Sequence, residues 1–99
     1  VARLEIALTA FDDFDRFVAH MERFAVADPP ARIAEIVEAL ELLIQSPEIG
    51  RPMPGRKREL LIGTGSHGYV ALYRFMRKTD TVIVLTIRSQ REGGYKRGG

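Results

Sequence analysis

The residues of this chain whose types and spacing could do chemistry lie in its second half. They are Arg56, Lys57 and Arg58 in direct succession, Arg74 alone inside an apolar run, and Arg88, Arg91, Lys96 and Arg97 at and beyond the last apolar run, with Tyr95 among them. Arginine's planar fork binds a phosphate at two points, so such a set suits a phosphate backbone. Tyr95 adds an aromatic face on which a base could stack. Neighbouring strands lie about 5 Å apart, so Arg74 and Arg88 or Arg91 could converge on one sheet surface with Arg56–Arg58 beside them. Ordinary alternatives stand next to each reading: Arg74 pairing with Glu59, a solvated loop at 56–58, and a Tyr95 ring packed on a sheet edge.

The charge distribution points the same way. The chain carries a net charge of only +2. Residues 1–50 nevertheless hold four arginines against ten acids, and residues 51–99 hold eleven Lys and Arg against three acids. Polarity of this kind predicts a basic face for an anionic partner, with nucleic acid as one candidate.

Conventional catalytic sets are not legible. There is no cysteine, which excludes disulfides and thiolate metal sites. His20 and His67 lack metal-ligand spacing, and no metal or cofactor is expected. The GTGSHG run at 63–68 resembles a phosphate loop only superficially, because no lysine follows it and no helical pattern begins there. His67 reads as a turn residue. Asp12, Asp13 and Asp15 read as acids at a helix start, where the helix dipole favours negative charge.

The elements that must position these residues follow from periodicity. Ninety-nine residues, 45% of them hydrophobic, predict a single globular domain spanning 1–99. Arg3–Leu8 alternates as a half-buried strand. Thr9 reads as the N-cap of a helix over Ala10–Phe24, with Phe14, Phe17, Val18, Met21 and Phe24 on one face. Asp28 caps a second helix that begins at Pro29 and runs to about Gln45, with Ile33, Ile36, Val37, Leu40, Leu43 and Ile44 inward. The short connection predicts an antiparallel helical hairpin. SPEIGRPMPG, with three prolines and two glycines, reads as a loop without regular structure. Strands are predicted over Arg58–Ile62, Gly68–Met76 and Thr81–Arg88, with a polar turn at Arg77–Asp80 and the last, most apolar strand placed centrally. The expected fold is α+β: an N-terminal strand, a two-helix hairpin, then a three-stranded antiparallel run, with the helices on one face of the sheet. No run approaches a membrane span. VARLEIAL lacks the apolar core of a signal peptide, so a cytoplasmic protein is expected.

Four features taken together resemble the RelE/ParE family of toxins from bacterial toxin–antitoxin pairs, over nearly the whole chain. They are the strand order, the passage GRPMPG-x-x-REL ending at Arg58-Glu59-Leu60, the Tyr73-Arg74 pair, and the segment Ile87-Arg88-Ser89-Gln90-Arg91-Glu92-x-x-Tyr95. Many relatives carry His where Ser89 stands. The resemblance implies a helical hairpin packed on an antiparallel sheet and a cognate antitoxin that neutralises the protein. ParE-like members bind DNA gyrase without known chemistry of their own and arrest growth. RelE-like members enter the ribosome and cut mRNA. The GRP…REL passage looks more like the ParE side, so the expected activity is gyrase inhibition, with Arg56, Lys57, Arg58, Arg88 and Arg91 as target-binding residues. Under the alternative, ribosome-dependent cleavage of mRNA, Lys57 or Tyr95 would take a proton, and Arg74 and Arg91 would stabilise the developing charge. Tyr95 does not keep the RelE-like spacing from Arg91, and whether the protein is an enzyme stays open.

Overall fold

The computed structural model describes residues 2–23, 29–63 and 68–89. Strand β1 (Arg3–Ile6) leads into helix α1 (Leu8–Arg23), and helix α2 follows (Pro29–Gln45). The remaining strands are β2 (Arg51–Met53), β3 (Lys57–Ile62), β4 (Tyr69–Met76) and β5 (Thr81–Ser89), with a 3-10 turn at Arg77–Thr79 between the last two. They form one sheet in the order β1-β5-β4-β3-β2. All neighbours are antiparallel except β1 and β5, which run parallel.

Both helices cover one face of this sheet. Ile36, Leu40 and Leu43 of α2 and Ala10 of α1 join Tyr69, Ala71, Tyr73, Val82, Val84 and Ile87 in the core, with Phe14 and Ile33 packed against it. Val37, expected inward, is exposed. The side chains of Phe17, Val18 and Met21, the residues Phe24 and Asp28, and the helix connection at 24–28 lie outside the described residues.

Three expectations are corrected. The first strand ends at Ile6, and Leu8 opens α1 instead of continuing the alternation. Ala7 N–H bonds Val84 O, and Ala7 O then accepts from Ala10 and Phe11 N–H, so the helix begins as soon as pairing stops. Thr9 lies inside the helix and is not its cap, and no acid occupies the first turn. The loop at 46–55 contains a strand, β2. It is an edge strand, where the N–H that Pro52 lacks has no ladder partner to lose. That added strand makes β4 the middle of the sheet, although β5 is still flanked on both sides.

The pairing of β4 with β5 is interrupted. Leu72 faces Thr86 but Tyr73 faces Val84, which leaves Leu85 as an extra residue, a β-bulge. Because side chains alternate, one extra residue reverses every face beyond it. Ile87 therefore joins Val82 and Val84 in the core, and Arg88 turns to the uncovered face with Ile83 and Arg74.

Candidate anion-binding groove

Two turns at one end of the sheet build the site. β2 and β3 are joined by residues 54–56 and closed by the pair Met53 and Lys57. Gly55 and Arg56 both take left-handed backbone, with φ of 80° and 59°. Glycine does so freely. For Arg56 the conformation costs about 1–2 kcal/mol. The other turn is Arg77–Thr79, closed by Asp80, also left-handed, whose N–H bonds Arg77 O. β3 and β4 are antiparallel, so the start of one lies beside the end of the other, and both turns border the same space.

That space is an open groove of about 620 Å³. Six cations line it: Arg56, Lys57, Arg58, Arg74, Arg77 and Lys78. Glu48 is the one acid, and Pro52, Met53, Phe75 and Met76 supply apolar wall. The cations divide by what they already hold. Arg58 is half-buried and structural, with Nη1 donating to Glu48 O (3.0 Å) and Gly50 O (2.7 Å). Arg77 pairs with the Glu48 carboxylate at the rim. Among the described residues Arg56, Lys57, Arg74 and Lys78 make no ion pair.

The groove wall is locked from behind by Tyr73, which is fully buried. Its hydroxyl donates to Pro47 O (2.7 Å) and accepts from Gly50 N–H (2.9 Å). Gly50 is needed for this approach: a Cβ there would lie 2.6 Å from the Tyr73 hydroxyl. Burial pushes the Tyr73 hydroxyl above the ordinary tyrosine pKa, against a smaller downward pull from Gly50 N–H and Arg58.

The structure thus brings together Arg56, Lys57, Arg58 and Arg74. It does not place Arg88 with them. Arg74 lies opposite Ile83, but Arg88 lies opposite Val70, four residues back along β4 and roughly 13 Å away at strand spacing. Arg91, Tyr95, Lys96 and Arg97 lie outside the described residues, as does His67. Glu59 is not the partner of Arg74. It is buried across the sheet from Arg51, which holds its carboxylate, and Leu72 is its neighbour on β4. Arg77, Lys78 and Glu48 complete the site without standing out in the sequence, where the antiparallel β3–β4 pairing is the signal that joins the two turns. Among the described residues no group of three His, Cys, Asp or Glu could hold a metal ion. Nor is any described helix long and apolar enough to cross a membrane.

Comparison with known proteins sets this geometry in a family. The sequence model for the ParE toxin of type II toxin–antitoxin systems (parDE) matches residues 4–93. The chain belongs to this toxin family. Solved structures share its fold at low identity. A chain of the intact Escherichia coli RelBE toxin–antitoxin complex is 17% identical with a TM-score of 0.57, covering 90% of this chain and 96% of that one. For RelBE2 of Mycobacterium tuberculosis the identity is 22% and the TM-score 0.61, covering 89% and 96%. The RelE–RelB complex of Pyrococcus horikoshii OT3 gives 16% and 0.55, covering 93% and 98%. No curated protein sequence matches the chain. The family model is a ParE one, and these three solved structures are of RelBE or RelE–RelB complexes whose fold is the one expected from the sequence.

Proposed function

We propose that this family member is the toxin of a type II toxin–antitoxin pair, acting in the cytoplasm by binding DNA gyrase and arresting growth, without cutting RNA itself. One observation carries the preference for binding over cleavage. Lys57 and Arg74 stand together in one groove at one end of the sheet, with Arg56 and Lys78 beside them, and among the described residues none of the four makes an ion pair. A groove with this excess of cations, and with its one carboxylate, Glu48, already held by Arg77, suits recognition better than proton transfer.

A second reading is ribosome-dependent mRNA cleavage. It draws on the placement of Lys57 beside Arg74, two of the expected catalytic four, in one groove. Purified gyrase separates the two. Supercoiling should fall as the protein is added, while primer extension on translated mRNA shows no new cuts. Unaffected supercoiling at excess protein, with cuts at a translated codon, would replace the first reading by the second.

The partner under either reading is a cognate antitoxin. Leu8 and Phe11, three residues apart on α1, are exposed at 81% and 52%, and Leu42 of α2 is also open. An antitoxin segment laying apolar side chains over the helices would cover them. Self-association of the isolated protein, reversed by the antitoxin, is the expected sign of such a surface.

A further inference from the structure

We infer that the groove between the β2–β3 and β4–β5 turns binds the phosphodiester backbone of a nucleic acid, and that the Glu48 carboxylate restrains this binding by occupying Arg77. The cations are arranged as a row more than a cluster. Arg56 stands at one turn, Arg77 and Lys78 at the other, and Lys57 and Arg74 lie on the strands between. Neighbouring strands are about 5 Å apart, so the row presents positive charge at short, regular intervals. A nucleic acid carries a charge on every residue, which an acidic protein segment rarely does. The groove is open along its length, as a polymer requires. Arg56 keeps left-handed backbone at the turn, where glycine would be unstrained, so the side chain is held there against a backbone cost. The site lies at the far end of the sheet from Arg88.

Glu48 offsets part of the groove's positive charge. It is the one acid of the groove, and its side chain is 44% exposed and bonded only at the rim to Arg77. Glu48→Gln removes a negative charge from the site and releases Arg77. The variant should bind a phosphate chain several-fold more tightly, a gain that misfolding cannot imitate.

The test uses the purified full chain and a short fluorescein-labelled DNA duplex, read by anisotropy across a salt series, with single-stranded RNA as a second arm. Lys57→Gln and Arg74→Gln should each weaken binding by about tenfold. Each should also flatten the logarithmic salt dependence by about one unit. Arg32→Gln, which removes the same charge from the start of α2, the helix whose Glu35 lies beside Gly63 at the other end of β3, should change neither. Preference for DNA or for RNA supports the inference and names the polymer. Unchanged affinity in Glu48→Gln together with an unchanged salt slope in Lys57→Gln and Arg74→Gln overturns it. So does displacement of the DNA by poly-glutamate as readily as by an unlabelled nucleic acid of equal charge, which assigns the groove to an acidic protein. The inference does not rest on gyrase being the target. Inhibited supercoiling without salt-dependent binding removes the groove reading alone, and salt-dependent binding without inhibition removes the gyrase reading alone.

Discussion

Asp13 of α1 accepts the backbone N–H of Ile87 on β5 at 3.0 Å, across 74 residues of chain. The bond stands where a strand would otherwise pair. β1 covers β5 only as far as Val84, and beyond it no strand among the described residues lies along the outer edge of β5. Helix α1 supplies the missing partners. Thr9 Oγ1 donates to Leu85 O at 2.6 Å, and Asp13, one turn on, takes the Ile87 N–H while its other oxygen holds Arg16. These two bonds bracket the bulge that turns Ile87 inward and Arg88 outward. An acid and a hydroxyl that look like helix-start residues in sequence thus set which face of β5 carries arginine.

Replacing Asp13 by Ala should therefore cost about 1–3 kcal/mol, because the Ile87 N–H is left buried and unpaired. Asp13→Asn retains an acceptor and should cost less. Urea unfolding gives the magnitude. Amide hydrogen exchange gives the location: the Ile87 amide should lose protection in Asp13→Ala well before the amides of Val82 and Val84, which β1 still covers. Equal protection along β5 would mean that the bulge stands without α1.

How far the sequence disclosed this protein follows from the range of each interaction. α2 was legible almost to its ends because its face repeats over four turns and Pro29 marks its start. β3, β4 and β5 were legible from apolar runs between polar turns. β2 was hidden by Pro52 and Pro54, since a proline rule written for inner strands does not apply at an edge. The bulge was hidden because Leu85 and Thr86 look the same in an apolar run whether or not one of them is skipped. Hence Arg88 could be read as basic but not assigned a side or an end of the sheet. The groove was half legible. Arg56–Arg58 and Arg74 stand out by charge, but Arg77 and Lys78 look like an ordinary polar turn, and an expected antiparallel run does not give the register that sets this turn beside the β2–β3 turn.

Gly50→Ala should be destabilising well beyond the helix or loop propensity of the two residues. The new Cβ would meet Tyr73 at the hydroxyl (2.6 Å) and at Cε1 (2.7 Å), and Tyr73 is fully buried with no room to withdraw. Overpacking of this kind costs about 1–3 kcal/mol. The relief available is for the 47–50 segment to lift away, which would break the bonds of Tyr73 to Pro47 and Gly50. A lowered urea midpoint with increased proteolysis near Gly50 is the expected pattern. A variant as stable as the parent would show that this segment is not held against Tyr73 in solution.

Tyr73 also predicts how stability responds to alkali. Its hydroxyl is raised above the ordinary value of about 10 chiefly by burial, so the folded state favours the protonated form. That contribution is fully present below the unfolded pKa and is lost as pH rises through the folded one. Stability should accordingly decline above about pH 10 more steeply than in Tyr73→Phe, which has no such group. At neutral pH the parent is the more stable of the two, since Tyr73→Phe leaves Gly50 N–H and Pro47 O without their partner. Unfolding midpoints of the two proteins measured from neutral to strongly alkaline pH should therefore converge. Parallel curves would mean that the hydroxyl titrates alike in both states.

Arg56 separates stability from function most directly. Its φ of 59° places a branched-at-length, non-glycine residue in left-handed backbone at the tip of the β2–β3 turn. Glycine at that position removes the contact between Cβ and the following carbonyl, and Arg56→Gly should raise stability by up to about 1 kcal/mol after the greater freedom of glycine in the unfolded chain is set against the relieved strain. The same change deletes one of four unpaired cations of the groove. Inhibition of gyrase, or toxicity in cells lacking the antitoxin, should fall while the thermal midpoint rises. Arg56→Asn, which tolerates left-handed backbone without supplying charge, should behave alike in function and lie between the two in stability. Retained toxicity in a more stable Arg56→Gly protein would show that the strained turn does not serve target binding. A loss of both would show that the side chain supports the fold instead.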